Sequence, residues 1–367
     1  MNGVPVTPPI TEYLYQKATM AGVPLSGTFE LTPVCNMDCK MCYVRMSQRE
    51  QNAIAPLKDA EDWISLGQRA ANAGMLYLLL TGGEPFLRKD FRQILEGLHK
   101  LGLVISINSN GTMIDETVVQ WLAKCPPSRI NISIYGACDE TYARLCGNPN
   151  GFSQVKKAIG LLKQAGIAVK LNCSLTMENA AELPQMVAFA KEQQLPIQIA
   201  SYMFPAVRKD GKMVGKNHRL SPEEAAYYMA YGEYLTMGEK ALSREDYVKD
   251  PDDPCTQVGE GVRCRAGRCS FWVTWQGELT PCGMFPSAGS PNVFRGDFSE
   301  AWEQVKKETA AIRLPKECAG CNVKDFCHAC AAMVITESGC FDKVPTYRCQ
   351  MIGAYPAEKK RLKEQLL

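Results

Sequence analysis

Residues 34–43 read VCNMDCKMCY and hold Cys35, Cys39 and Cys42. This spacing places three thiols on one short loop. Three thiolates can bind three irons of a [4Fe–4S] cube and leave the fourth iron open to another ligand. Zinc is one alternative, but a structural zinc site takes four protein ligands, and no fourth cysteine or histidine lies nearby in the sequence. Simple burial of three cysteines is the other.

The composition sets limits on the kind of protein. The chain has 367 residues, 46% of them hydrophobic, which is enough for one large α/β domain and a smaller one. Its 41 basic and 39 acidic side chains nearly balance, so charge gives no reason to expect nucleic acid or a membrane as a partner. The first residues lack the pattern of a signal peptide, and the longest apolar run is too short to span a bilayer. We therefore expect a cytoplasmic protein.

The cysteines are numerous and clustered. The chain has 17 cysteines and three histidines, and ten of the cysteines lie in the segment from Cys255 to Cys349. A disulfide scaffold is typical of short secreted chains, whereas clustered cysteines in a long chain indicate metal binding in a reducing compartment. Soft thiolate ligands favour iron–sulfur clusters or zinc.

The hydrophobic pattern predicts alternating strands and helices. The predicted strands are residues 28–32, 75–81, 103–108, 129–134, 168–175 and 197–201. The predicted helices between them are residues 57–73, 89–101, 115–123, 152–165 and 181–192, several of which end at a glycine. Six strands with intervening helices predict a parallel sheet, and six is fewer than a closed barrel needs. The expected fold is an α/β partial (β/α)6 barrel with its active site at the carboxyl ends of the strands.

A second, smaller unit is predicted at the C-terminal end. Ser221 is the expected N-cap of a helix at residues 221–235, and a Pro- and Asp-rich breaker follows at 250–254. The expected divisions are an N-terminal segment (1–26), the barrel (27–240), a linker (241–254), a cysteine-rich domain (255–355) and a tail (356–367). Little apolar core is expected in the cysteine-rich domain, which would then need metal to fold. The tail is expected to be a solvated, charged helical end.

Two polar turns follow neighbouring strands. Strand two ends in residues 81–85, TGGEP, with Gly82, Gly83 and Glu84; strand three runs into Asn110. Two glycines allow the backbone to approach a ligand closely, and Glu84 adds a carboxylate that could accept from an amino group. Beside the cysteine loop, these turns are expected to form one pocket.

These features resemble the radical S-adenosylmethionine superfamily over about residues 27–202. The three-cysteine loop and the Gly-Gly-Glu motif match, although Met41 stands where the family usually has an aromatic residue. The resemblance implies that the open iron binds the amino and carboxylate groups of S-adenosylmethionine. One electron then cleaves this cofactor to a 5′-deoxyadenosyl radical, which abstracts hydrogen. It also implies that Ser133 and Arg144 contact the ribose and the carboxylate.

The C-terminal cysteines resemble the SPASM domain, which follows radical domains that modify peptides. The resemblance implies two auxiliary [4Fe–4S] clusters, three clusters in all. The implied ligands are Cys264, Cys269, Cys282 and Cys330 for one auxiliary cluster, and Cys318, Cys321, Cys327 and Cys349 for the other. The gap between Cys327 and Cys330 is two residues rather than the usual three. Without Cys269, the first auxiliary cluster would have an open iron; a pair of zinc knuckles is the alternative for this region.

The leading hypothesis for function is radical modification of a residue in a peptide or protein, as in maturases of ribosomal peptides. Sulfatase maturases, similar in their motifs, carry an aspartate base directly after the cysteine that Cys282 matches, but Gly283 stands there. Oxidation of a small alcohol or sugar and sulfatase-type maturation are alternatives, as is a multi-cluster electron-transfer protein. No catalytic base is assigned. The expected partners are a peptide or protein substrate and a low-potential electron donor such as flavodoxin or ferredoxin.

Iron content tests the predicted number of clusters. Anaerobically reconstituted protein is expected to bind about twelve irons, four for each cluster. Replacing Cys35, Cys39 and Cys42 together by alanine is expected to remove about a third of this iron. Iron and zinc are measured together by plasma mass spectrometry, and zinc in place of iron in the C-terminal region would contradict the prediction.

Overall fold

The computed structural model describes residues 9–205, 218–243, 261–262, 264–324, 327 and 330–366. Its strands are β1 (Ser26–Glu30), β2 (Tyr77–Thr81), β3 (Val104–Ser109), β4 (Arg129–Ile134), β5 (Val169–Ser174), β6 (Ile197–Ala200), β7 (Ser270–Val273) and β8 (Leu279–Thr280). Its helices are α1 (Pro9–Ala21), α2 (Gln48–Ile54), α3 (Ala60–Asn72), α4 (Phe91–His99), α5 (Glu116–Leu122), α6 (Asp139–Cys146), α7 (Gly151–Gln164), α8 (Leu183–Glu192), α9 (Pro222–Met237), α10 (Glu239–Ser243), α11 (Phe298–Ala311), α12 (Ala331–Ser338) and α13 (Thr346–Leu366). Among the described residues, no helix has the length and apolar content needed to cross a lipid bilayer.

All eight strands form one sheet in the order β6-β5-β4-β3-β2-β1-β7-β8. Strands β1 to β6 pair in parallel with their sequence neighbours, and each lies within two residues of its predicted position at either end. The sheet is an open partial barrel with helices between its strands, so the predicted fold class is confirmed. Because the strands are parallel, their carboxyl ends meet at one rim.

The predicted helices between these strands form within three residues of their expected bounds. Helix α3 begins later than predicted because Asp59 caps it, in a reciprocal capping box with Asp62. Gly102 and Gly166 lie in the left-handed region at φ 77° and 71°, as expected for glycines that end helices. Ser221 is the N-cap of α9, as predicted.

The cysteine-rich region is joined to the barrel by a shared sheet and a shared core. Strand β7 pairs in parallel with β1, which extends the barrel sheet at the edge opposite β6. Phe271 of β7 contacts Phe298 of α11 with ring centroids 5.2 Å apart, and the Trp302 indole donates to the Gly22 carbonyl at 2.8 Å. The expectation of little apolar core is therefore wrong for this part of the chain. Most of the expected linker (244–254), and Cys255, lie outside the described residues.

The C-terminal tail belongs to a longer helix that packs against the protein along one face. Helix α13 begins at Thr346 and packs along α9. The Tyr355 hydroxyl donates to Glu233 of α9 at 2.6 Å, and Leu362 is only 1% exposed. The expectation of a merely solvated end is wrong for this face of the helix, because charged residues surround a few apolar ones that pack inward.

Truncation of Leu362 tests this packing. Leu362→Ala is expected to lower the free energy of unfolding by about 2–5 kcal/mol, because it removes a buried side chain and leaves a cavity. Leu366→Ala, on the same helix at 40% exposure, is the control and is expected to change it by less than about 0.5 kcal/mol. Urea unfolding followed by circular dichroism measures both. Equal effects would mean that α13 is not packed on α9 in solution.

Candidate functional site

The three-cysteine loop leaves the carboxyl end of β1 and is held by helix α6. The amides of Asp38 and Lys40 donate to the carbonyls of Cys146 and Leu145 at 2.9 and 3.0 Å. Within the loop, the Cys42 amide donates to the Cys39 carbonyl at 3.0 Å. The last turn of α6 therefore fixes the loop backbone, which limits where the three thiols can point.

Each of the three thiols has a nearby donor or thiol partner. The Met37 amide donates to the Cys35 sulfur at 3.4 Å, and the Arg45 amide donates to the Cys42 sulfur at 3.2 Å. Burial raises the pKa of Cys35 to about 12. A hydrogen bond with the Cys146 thiol, followed by burial, raises the pKa of Cys39 well above its usual value.

Gly82 and Gly83 let two backbones come together. The Gly83 amide donates to the Thr32 carbonyl at 2.6 Å, and the next amide, that of Glu84, donates to the Val34 carbonyl at 2.9 Å. A Cβ atom on Gly82 would overlap the Thr32 carbonyl, and one on Gly83 would overlap the Val34 carbonyl. The observed close approach is thus to the backbone that enters the cysteine loop. It explains both glycines through protein contacts.

Glu84 is fully buried and its carboxylate accepts from the protein itself. It accepts from the amides of Phe86 and Asn110 at 3.1 and 2.8 Å, and from the Ser109 hydroxyl at 3.0 Å. Burial raises its pKa to about 7, while these donors oppose the shift. The side chain therefore joins the end of β2 to the end of β3. Asn110 continues this connection, because its side-chain amide lies 3.6 Å from the Cys35 sulfur.

The two other residues predicted for cofactor binding, Ser133 and Arg144, each have a protein partner. The Ser133 side chain, on β4, hydrogen-bonds to Tyr135. Arg144, on α6, is half exposed and pairs with Glu178 at 3.1 Å, a carboxylate that also pairs with Lys40 of the loop at 2.9 Å. Glu178 thus connects Arg144 to the cysteine loop.

Tyr135 and Cys146 are neighbours of the loop that the sequence prediction did not include. Burial, followed by the nearby Cys39 and Cys146 thiols, raises the pKa of Tyr135 well above its usual value. Cys146 is fully buried. Its spacing from Cys42 carries no motif, and helix α6, which brings it to the loop, was not predicted.

Four C-terminal thiols lie near one another. Burial raises the pKa of Cys318 to about 11. The next largest contributions to this rise come from the nearby thiols of Cys349, Cys327 and Cys321. The pKa of Cys349 is likewise raised by burial and then by the nearby thiols of Cys327 and Cys321. These are the four cysteines that the resemblance grouped as one cluster site.

The other predicted set is divided. Cys264 lies near Cys330, which packs with Cys282 in a small apolar cluster. Cys269 instead accepts from the Thr19 hydroxyl of α1 at 3.0 Å and is buried with Ala18 and Leu25. Cys264 and Cys330 are therefore neighbours, Cys282 packs against the same apolar cluster as Cys330, and Cys269 is held beneath α1.

The donor sets fit iron–sulfur clusters. Three soft thiols on a fixed loop suit a cube with one open iron, and the four neighbouring C-terminal thiols suit a fully ligated cube. Among the residues that the structure describes, no three His, Cys, Asp or Glu side chains converge on the position of a single metal ion.

Alanine at Gly83 tests the close packing at the loop. Gly83→Ala is expected to displace the backbone that enters the cysteine loop, and so to lower the iron content by about a third, one cluster of three. Gly160→Ala, in helix α7, is the matched control, because its added Cβ atom meets no atom within 4 Å. Full iron in the Gly83 variant would show that this contact does not shape the cluster site.

Comparison with known proteins identifies the domain that holds this site. Residues 29–190 match the radical SAM superfamily model. A PqqA peptide cyclase of Rhizobium meliloti is 26% identical, over 85% of this chain and 84% of its own length. An AdoMet-dependent heme synthase of Methanosarcina barkeri is 23% identical, over 87% of this chain and 95% of its own. The subtilosin biosynthesis protein AlbA of Bacillus subtilis is 25% identical, over 84% of this chain and 67% of its own length.

Solved structures show the same fold. Streptococcus suis SuiB bound to its precursor peptide SuiA has a TM-score of 0.66 at 16% identity, covering 94% of this chain and 82% of that one. Native anSMEcpe with bound AdoMet has a TM-score of 0.68 at 18% identity, covering 94% and 99%. With the three-cysteine loop and the Gly-Gly-Glu strand end in place, the family match shows that residues 29–190 of this enzyme form a radical SAM domain.

Proposed function

We propose that this enzyme modifies a residue of a peptide or protein by radical chemistry. The observation that carries the proposal is similarity to peptide cyclases over most of both chains. For the Rhizobium protein, the similarity covers 85% of this chain and 84% of the cyclase. Coverage of 85% exceeds residues 1–254, so the similarity extends into the cysteine-rich region. AlbA and SuiB, whose names and titles refer to bacteriocin biosynthesis and to a precursor peptide, support the same substrate class.

The residues of this chain have distinct parts in the proposed reaction. Cys35, Cys39 and Cys42 hold the cluster that, when bound, supplies reductive cleavage of S-adenosylmethionine for hydrogen abstraction. Backbone groups at Gly82 and Gly83 shape the adjacent rim. Glu84 positions Asn110 through its own hydrogen bonds, because its carboxylate already has three protein donors.

Arg144 and Ser133 are proposed contacts of the cofactor. Arg144 would need to exchange Glu178 for the cofactor carboxylate, since the two side chains pair at 3.1 Å. The Ser133 hydroxyl would be shared between Tyr135 and the ribose. We further propose a cytoplasmic location and a low-potential donor such as flavodoxin or ferredoxin.

The C-terminal thiols are proposed ligands of two auxiliary clusters. Cys318, Cys321, Cys327 and Cys349 supply four ligands to one site. Cys264, Cys282 and Cys330 supply three to the other. Cys269 is not proposed as a ligand in this arrangement, because its thiol is engaged by Thr19 under α1.

The geometry at Gly283 disfavours sulfatase-type maturation. A Cβ atom at this position would lie 2.7 Å from carbons of the Trp272 ring. An aspartate base at residue 283 is therefore incompatible with the observed position of Trp272. If a base is needed, another residue must supply it.

A tetrapyrrole substrate is the second candidate. The heme synthase relative covers 87% of this chain and 95% of its own length, and an Fe-coproporphyrin III synthase of the same organism is also 23% identical. An incubation of the reduced enzyme with S-adenosylmethionine separates the two candidates. One sample contains iron coproporphyrin III, and the other contains peptides whose genes neighbour the gene of this enzyme. A mass change in the tetrapyrrole alone would favour the second.

Loss of one auxiliary cluster is expected to uncouple the reaction. The Cys318→Ala/Cys321→Ala variant should still release 5′-deoxyadenosine, because the loop and rim lie in the barrel. Modified peptide should fall to less than about a tenth, because a substrate radical must lose an electron to become a stable oxidised product. Liquid chromatography with mass spectrometry quantifies both products.

Two controls accompany this variant. Cys125→Ala, in the main core, removes a thiol that no cluster is expected to use and should keep both products. Circular dichroism and iron content show whether the double variant has folded with its other clusters. A folded double variant that makes product at the parent rate would mean that this auxiliary site is structural only.

A further inference from the structure

A cavity of about 710 Å³ lies where the barrel strands begin. Its wall includes residues from the first halves of β1 to β4 and of β7, so it faces the end of the barrel opposite the three-cysteine loop. Cys264, Cys282 and Trp272 form another part of the wall. Its volume is in the range of small-molecule sites, and it borders both the barrel interior and the first auxiliary thiols.

Two buried polar atoms on this wall have no hydrogen-bond partner. Asn131 is 7% exposed; its side-chain amide donates to Asn108 at 2.8 Å, but its Oδ1 atom has no donor. The Nε atom of Arg129 is also buried without an acceptor. A buried unpaired polar group is costly, so the pair indicates a ligand that offers both an acceptor and a donor.

The two arginines on the cavity wall differ in whether a described carboxylate pairs with them. Arg265, the other arginine on the wall, pairs with Glu12 at 2.8 Å and stacks on Tyr15. Arg129 has no ion pair among the described residues, and its charge, after burial, lowers the pKa of nearby Lys170.

Lys170 donates to the neutral side chain of Gln198, and it too has no ion pair among the residues described. The barrel-facing carboxylate of Glu30 accepts from the Trp272 indole at 3.2 Å and lies at the far end of β1. An anionic group would therefore be favoured beside Arg129.

We propose that this cavity binds an acidic residue of the peptide substrate. Arg129 binds the carboxylate, Lys170 adds positive charge behind it, and Asn131 Oδ1 accepts a peptide N–H. The assignment rests on the proposed function, since it names the substrate residue that a peptide-modifying enzyme would hold. It places that residue between the barrel interior and the thiols Cys264 and Cys282.

Two matched peptides test the site on the reconstituted holoenzyme. Acetyl-Ala-Glu-Ala-amide is expected to bind at least about ten-fold more tightly than acetyl-Ala-Gln-Ala-amide, as measured by isothermal titration calorimetry. Arg129→Gln should remove this preference, whereas Arg129→Lys should keep part of it. Arg92→Gln, on the exposed face of α4, is the control and should leave the preference intact.

A second variant separates the two contacts. Asn131→Leu should lower the affinity for both peptides by a similar factor, because both peptides offer the same backbone N–H. Equal affinity of the two peptides for the parent enzyme would overturn the proposal, as would an unchanged preference in a folded Arg129→Gln variant. A variant that shifts the auxiliary-cluster potential without changing peptide affinity would assign Arg129 to the cluster instead, and would also overturn it.

The outcome is independent of turnover. Selective binding of the glutamate peptide together with modification of a tetrapyrrole alone would reject the peptide-modifying function while leaving a carboxylate site in place. Circular dichroism and iron content of each variant confirm that the measurements are made on folded, loaded protein.

Discussion

Backbone contact between the end of β2 and the segment entering the cysteine loop is the constraint on which the site depends. Hydrogen bonds at Gly83 and Glu84 fix this segment, and only residues without a Cβ atom fit at Gly82 and Gly83. The buried Glu84 carboxylate then ties the end of β3 to the same point. Three strand ends are thus held in one arrangement, and the loop cannot shift without disturbing the sheet.

The sequence allowed much of the fold to be predicted because the barrel strands are short apolar runs and its helices end at glycines. Strand β7 could not be predicted, because it has four residues inside a cysteine-rich region and pairs with a strand more than 200 positions earlier. Helix α13 was predicted only as a charged end, since its few buried side chains are separated by polar ones.

The motif residues of the candidate site do meet at one rim, but their contacts depend on tertiary structure. Sequence alone suggested that Glu84 faces a ligand, whereas its carboxylate turns toward Ser109 and Asn110. The positions of Cys146 and Cys269 likewise depend on helices α6 and α1, which carried no motif. The number and spacing of the cysteines therefore predict iron–sulfur chemistry better than they predict the position of each thiol.

The packing of Gly283 against Trp272 also limits how this enzyme can change. An aspartate at position 283 would collide with an aromatic ring that is itself hydrogen-bonded to the buried Glu30. Space for the aspartate requires Trp272 to move or to be replaced by a smaller residue, and either change would disturb the indole hydrogen bond to Glu30. A substitution at position 283 is therefore coupled to position 272 and, through the indole, to a buried carboxylate at the end of β1.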